Sequence, residues 1–365
     1  MKIVIVQGAF FPVPPLEGGA VEKRWFQLTK EFVRQGHEVV YLSRSYPGLP
    51  DSEVIDGVHF LRTSGFKFRS NFVLSNFYDF LYSFQVLKLI PKDSDVIVTN
   101  SFWSPILARR QKNKIAVDVA RMPKGQMQLY KSVRFLRANS TPVAEAIKNE
   151  LKPAYHPKVK TIPNPLTFTI DEHSPVASKE KIILYTGRIH PEKGIDLLIE
   201  AYLQSELRDW KLMVIGPHKT ASGGGGEKYL KKLKDLAGSS NIQFPGPIYD
   251  IEKLNTHYQK ASVFVYPSLA EKGETFGLAP LEAMAWGTVP IVSDLTCFKD
   301  FIDHGKNGLI FDHRSSNRLL DLCVQLKQIT QDENMRERLS KQAMKVRETH
   351  SVKNIALQFL QLFDS

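Results

Sequence analysis

The sequence predicts an α/β protein built from two doubly wound, Rossmann-like domains facing across a cleft. Three observations carry that prediction. A chain of 365 residues is longer than one ordinary hydrophobic core serves. Strand-like and helix-like segments alternate in two successive series. Between the series runs Lys152 to Pro175, proline-rich and broken by Thr161-Ile-Pro-Asn-Pro165, where prolines force extended backbone. The first domain is therefore placed at 1–165 and the second at 166–349, with a helix in 350–365 folding back onto the first.

In the first series, strands are expected at Lys2 to Gln7, Glu38 to Ser43, Val58 to Thr63, Asp95 to Thr99, Lys114 to Val119 and Phe135 to Asn139. Ala20 to Gln35 carries Val21, Trp25, Leu28 and Phe32 at helical spacing and stops at Gly36, a C-cap signal. Thr141-Pro142 opens a helix over Val143 to Leu151, threonine as cap and proline at the first position. The second series places strands at Lys181 to Tyr185, Lys211 to Ile215, Ile242 to Phe244, Val263 to Tyr266, Val289 to Val292 and Gly308 to Phe311. An amphipathic helix over Asn354 to Leu362 closes the chain.

Composition narrows the class. Apolar residues at 42% and charged residues at 24% are those of a globular protein in water. Cys297 and Cys323 supply neither a disulfide framework nor a metal cluster, which fits a reducing cytoplasm. Met1-Lys2 runs straight into a strand with no signal peptide, and no apolar stretch approaches the ~20 residues of a membrane span. Residues 1–165 hold 24 Lys+Arg against 13 Asp+Glu, whereas 166–365 hold 25 of each. An asymmetry of this kind points to an anionic partner of the first half.

The segment Phe66 to Lys88 is strongly aromatic and begins with Lys67 and Arg69. An aromatic stripe at helical spacing is more often core; docking on a bilayer surface or holding a lipid tail is the other reading. No nucleic-acid module accompanies these residues. Gly18-Gly19, just ahead of the first helix, would let backbone N–H groups approach an anion, and a tight turn explains them equally well.

Two stretches of the second half suit a phosphate-bearing ligand. In Tyr185-Thr-Gly187-Arg188-Ile-His-Pro-Glu-Lys193-Gly194, Gly187 permits close approach at a strand end, and the forked Arg188 with the mobile Lys193 suits a diphosphate. In Glu274-Thr-Phe276-Gly277-Leu278-Ala-Pro280-Leu-Glu282, a helix is expected to start at Pro280 and stop at Gly287. That leaves N–H groups of Phe276, Gly277 and Leu278 between two carboxylates, a pocket for an anion flanked by hydroxyls.

Gly187-Arg188 with Lys193-Gly194, Glu274 and Glu282 with seven residues between them, and the Gly18-Gly19 loop together resemble the retaining GT-B glycosyltransferases of the large E-x7-E family. The likeness covers nearly the whole chain and is strongest from Lys181 to Phe311. It implies a hexosyltransferase using a UDP- or GDP-linked sugar, with a glycan or lipid-linked acceptor, no cofactor and no metal. Arg188 and Lys193 would neutralise the donor diphosphate, helped by amides at Phe276, Gly277 and Leu278. Glu282 would accept the ribose hydroxyls, and Glu274 would position the transferred sugar. Gly216 resembles a nucleotide loop, and Ile248, in Pro245-Gly-Pro-Ile-Tyr249, resembles the part that meets the base.

Where relatives carry a His-Asp pair after a strand of the first domain, this chain reads Val117-Asp118-Val-Ala-Arg121-Met-Pro-Lys124. Asp118, Arg121 and Lys124 are the candidates for that acceptor or sugar side. Asp93-Ser-Asp95 imitates a metal motif of another fold but precedes a strand as a turn does, and Gly223 to Gly226 lacks the Lys-Ser/Thr of a phosphate loop. The expected setting is cytoplasmic, extending to the inner face of the membrane, where the basic half would meet anionic lipid. Rival readings are a GT-B-fold nucleotide-sugar epimerase or hydrolase, and a membrane scaffold with an inactive nucleotide site.

Overall fold

The computed structural model describes residues 1–16, 19–67, 71–170, 174 and 178–365, with all their side chains except those of Phe72, Arg109 and Arg110. The chain divides into two compact units, 1–167 with 350–365, and 168–349. All of the net charge of +11 lies in the first unit, since the second holds 24 basic and 24 acidic residues.

The first unit contains β1 (Lys2–Val6), α1 (Ala20–Arg34), β2 (Glu38–Arg44), β3 (Ser52–Ile55), β4 (Val58–Thr63), α2 (Phe72–Val86), β5 (Val96–Thr99), α3 (Ser104–Leu107), β6 (Ile115–Val119), β7 (Phe135–Ala138), α4 (Thr141–Glu150) and β8 (Val159–Thr161). The second contains β9 (Glu180–Thr186), α5 (Ile195–Gln204), β10 (Lys211–Ile215), α6 (Gly226–Ala237), β11 (Ile242–Gly246), α7 (Ile251–Lys260), β12 (Ala261–Tyr266), α8 (Leu278–Ala285), β13 (Val289–Ser293), β14 (Leu309–Phe311), α9 (Arg318–Gln331), α10 (Glu333–Ala343) and α11 (Val346–Thr349). Helix α12 (Val352–Asp364) returns to the first unit.

The first sheet runs β3-β4-β2-β1-β5-β6-β7-β8, parallel except for the β3–β4 pair. Its central strands are buried on both faces, so successive residues enter different cores. Ile3 and Ile5 of β1 join Trp25, Leu28 and Phe32 of α1 with Ile355, Phe359 and Phe363 of α12. Val4 and Val6 join Tyr82 and Val86 of α2 with Val143 and Ile147 of α4. Each such large apolar side chain contributes about 1.5–3 kcal/mol by leaving water. The connections that leave and re-enter this unit meet at one point, where Leu166 donates its N–H to the His350 carbonyl at 2.8 Å.

The second sheet is parallel throughout, in the order β11-β10-β9-β12-β13-β14. From β9 the chain steps outward to β10 and β11, then crosses back to β12 on the other side of β9. That reversal makes the C-terminal ends of β9 and β12 the switch point at which open α/β sheets hold ligands. In the first sheet the corresponding point lies between β1 and β5, where the Gly8 N–H meets Asn100 Oδ1 at 3.1 Å.

Several local expectations are corrected. Strand β3 was not foreseen: Asp56-Gly57, both at positive φ, turn it back onto β4 as a hairpin. The three-residue β8 at the sheet edge was also missed. Helix α4 begins at Thr141 with Ser140 before it, so threonine is the first helical residue rather than the cap. Helix α8 begins at Leu278 instead of Pro280; the proline sits third, still in the turn whose N–H groups have no helical partner.

Candidate active site

The site of the second unit grows from two strand ends. Thr186 ends β9 and Gly187 follows it; its N–H donates to the Ile215 carbonyl at 3.0 Å, drawing in the end of β10. A Cβ on Gly216, at φ 154°, would collide with the Gly187 carbonyl, so these two loops approach only as glycines. Arg188 then projects half-exposed, its Nη1 donating to the Gly223 carbonyl and its Nη2 to Glu192 Oε1, each at 2.7 Å. A short 3₁₀ turn over Pro191–Lys193 brings Lys193 back toward the end of β12.

Lys193 Nζ donates to Glu274 Oε2 at 2.7 Å, with both side chains nearly buried. Beneath them Tyr266, the last residue of β12, places its ring 5.3 Å from the same ammonium and its hydroxyl on Glu274. Burial first, and then the Glu274 charge, raise the Tyr266 phenol well above its usual range, so it stays a hydrogen-bond donor. Tyr185 stacks on Tyr266 at 5.7 Å and donates to the Arg188 carbonyl, which fixes the backbone that carries the guanidinium.

The loop after β12 is tied at both ends. Leu269 donates its N–H to the Glu192 carbonyl at 2.8 Å, while Glu271 receives His313 Nε2 at 2.9 Å and Arg314 Nε at 2.8 Å. Phe276 is buried and stacked on Phe301 at 5.3 Å, so its ring belongs to the core. Gly277, at φ 94°, turns the chain into α8 where a Cβ would strike Phe298, and no side chain caps this helix end. Glu282, one turn into α8, is buried and accepts the Tyr258 hydroxyl at 3.2 Å; Thr186 Oγ1 sits 2.6 Å from the same hydroxyl. Ile248, half-buried beyond the end of β11, lies on this same strand-end edge of the sheet.

In the first unit the predicted residues separate. Gly18 lies outside the described residues, and Gly19 stands as the N-cap of α1. Asp118 is fully buried: Arg24 and Arg137 both pair with it and Trp25 Nε1 donates at 2.9 Å. Burial pushes its carboxyl up, but the two guanidiniums and the indole outweigh that and hold it below the usual carboxylate range. This corrects the expectation that Asp118 faces a sugar, because every side of its carboxylate is used internally. Arg121 and Lys124 are exposed, consistent with a solvent-facing edge. Asp93 and Asp95 both bind Lys2, the first through Nζ and the second through the backbone N–H, each at 2.7 Å.

Sequence reasoning passed over Tyr185, Tyr258 and Tyr266, and also Glu22. For Tyr185 and Tyr266 a tyrosine near the end of a buried strand was the available signal, since a buried phenol requires a partner; Tyr258, on α7, offered none. Glu22, in the first turn of α1, accepts Gln7 Nε2 at 2.7 Å, and Gln7 accepts the Tyr41 hydroxyl at 2.8 Å. Burial raises its carboxyl above the ordinary value.

Residues 167–346 match the family described as Glycosyl transferases group 1. The second unit is a group 1 glycosyl transferase domain. Arg188, Lys193, Glu274 and Glu282 all fall inside this group 1 match. Over 333 residues the chain is 24% identical to a lipopolysaccharide 1,2-N-acetylglucosaminetransferase of Salmonella typhimurium, covering 84% of each protein. The GT-B fold extends beyond the group 1 domain. Sucrose-phosphate synthase of Thermosynechococcus elongatus superposes with a TM-score of 0.78 at 20% identity, over 100% of this chain and 98% of that one. Anabaena HepE, solved with UDP and glucose, gives 0.73 at 16%, over 100% and 99%.

Proposed function

We propose that the protein is a retaining glycosyltransferase that moves a hexose from a UDP- or GDP-linked donor to a hydroxyl of a glycan or lipid-linked acceptor. The observation that carries this reading is the Lys193–Glu274 pair beside Arg188 at the switch point between β9 and β12. Two cations and an uncapped helix end would meet the charge that gathers on a diphosphate leaving group, which is the main electrostatic demand of the reaction. Because protein cations meet that charge, the reaction is proposed to run without a divalent metal.

The chemistry assigns each group a task. The anomeric C–O bond breaks and its electron pair goes to the diphosphate oxygen held by Arg188 and Lys193. The acceptor oxygen attacks from the same face, and its proton passes to that leaving oxygen, so the configuration is retained. Glu274 holds hydroxyls of the transferred sugar, and Glu282, steadied by Tyr258, accepts the ribose hydroxyls. The first unit, with all the net positive charge, is read as the acceptor side, suited to a diphosphate-lipid or an anionic membrane face. A role in building surface polysaccharide or glycolipid is supported by the Salmonella relative, and UDP by the ligand of HepE.

The test is a thermal-shift panel of UDP, GDP, ADP and their sugars, since a ligand that binds only the native state raises the midpoint. The preferred donor is then incubated with lipid extract in EDTA. A glycosylated product of retained configuration supports the reading. Free sugar alone, or an epimerised nucleotide sugar, assigns the site to hydrolysis or epimerisation instead.

A further inference from the structure

Helix α2 buries polar side chains among its apolar ones. Its buried side carries Asp79 and Ser83 beside Tyr82 and Val86. Asp79 accepts the backbone N–H groups of Phe102 and Trp103, each at 3.1 Å, together with the Ser101 hydroxyl. Ser83 bonds Ser101 at 2.9 Å and Ser104 at 3.0 Å, and Trp103 Nε1 donates to the Asn76 carbonyl at 3.0 Å. A polar network thus shares the work of holding the helix. The opposite side is apolar and open, with Val73, Phe77 and Phe84 exposed to 75%, 52% and 56%. At about 100° of rotation per residue these three fall within roughly 40° of arc. An ordinary surface helix keeps its outward face polar.

We propose that this face of α2 docks the protein on an anionic bilayer surface, with the helix lying in the plane of the interface. Val73, Phe77 and Phe84 enter the boundary between headgroups and acyl chains. Lys88, whose ammonium lies 4.7 Å from the Phe84 ring, and the exposed Lys67 remain among the phosphates. Charge selects this occupant over a second copy of the chain. The unit that carries α2 holds the whole +11, so joining two copies here opposes like charges, whereas anionic lipid complements them. A helix of 15 residues spans about 22 Å, short of a bilayer core, and the Asp79 network keeps it attached to the sheet. The inference deepens the acceptor-side reading and rests on it only in bringing a lipid-linked acceptor to this face; vesicle binding is measured without donor, so either can fail alone.

The test is co-sedimentation of the full chain with vesicles of phosphatidylglycerol and phosphatidylethanolamine, against neutral phosphatidylcholine vesicles, at low and high salt. Wild type is expected to partition at least about tenfold more onto the anionic vesicles, and less as salt rises. Phe77→Ser with Phe84→Ser should lower that partition at least about tenfold without moving the melting midpoint. Leu320→Ser with Val324→Ser, which changes equally exposed apolar residues of α9, should bind as wild type. Equal binding by both double variants, or none by wild type at low salt, overturns the proposal. A wild-type dimer that becomes monomeric in the phenylalanine variant overturns it too, assigning the face to a second copy.

Discussion

Lys193 Nζ and Glu274 Oε2 lie 2.7 Å apart, with the two side chains only 6% and 11% exposed. Glu274 is therefore held in place by one of the cations assigned to the donor diphosphate, so in the proposed reaction sugar and phosphate recognition would be joined through this contact. Glu274→Ala should lower turnover by about 10²–10³-fold while changing nucleotide affinity little. Glu282→Ala should do the opposite, weakening nucleotide binding by about 1.5–3 kcal/mol. Steady-state kinetics with calorimetry separates the two, and wild-type behaviour of both variants would remove the site assignment.

Under the proposed function Tyr258 would be a positioning residue, reaching the ligand only through Glu282. Tyr258→Phe removes one buried hydrogen bond and should weaken nucleoside diphosphate binding by about 0.5–1.5 kcal/mol, with kcat largely unchanged. The loss should shrink for a 2′-deoxynucleotide, which lacks one of the hydroxyls Glu282 would hold. An equal loss for both ligands would make Tyr258 merely a packing residue.

The Asp118 cluster predicts a stability effect. Asp118→Ala leaves the buried Arg24 and Arg137 without their shared anion and should cost about 3–5 kcal/mol. Urea unfolding measures it. A stable variant with impaired transfer would restore Asp118 to the sugar side.

His350 sets a pH dependence. Burial lowers its imidazole to about 4, whereas the unfolded chain titrates near 6.5. Between those values the unfolded state binds more protons, so stability present above pH 6.5 is lost as pH falls toward 4, by about 3 kcal/mol. Urea midpoints from pH 7.5 to 4.5 should fall less steeply in His350→Gln. Parallel profiles for the two proteins would exclude this histidine as the source.

Much of this was legible because strand and helix periodicities are local. Every central strand of both sheets was placed within two residues, and Arg188, Lys193, Glu274 and Glu282 were singled out by type and spacing. What escaped depends on partners distant in sequence. Nothing in Val117-Asp118-Val119 announces that Arg24 and Arg137 close over the carboxylate. Tyr258 reads as an ordinary apolar position of α7 until Glu282 is found against its hydroxyl. The polar side of α2 was invisible for the same reason, since Asp79 acquires its role only from the amides of Phe102 and Trp103.

The meeting of Leu166 and His350 makes the second unit an insertion within the first. On the ribosome the group 1 domain is complete in sequence before helix α12 has been made. Until then Trp25 and Phe32 lack Phe359 and Phe363, against which they pack in the finished protein. The core on this face of the first sheet is therefore incomplete throughout synthesis of the second unit and closes only when α12 is made.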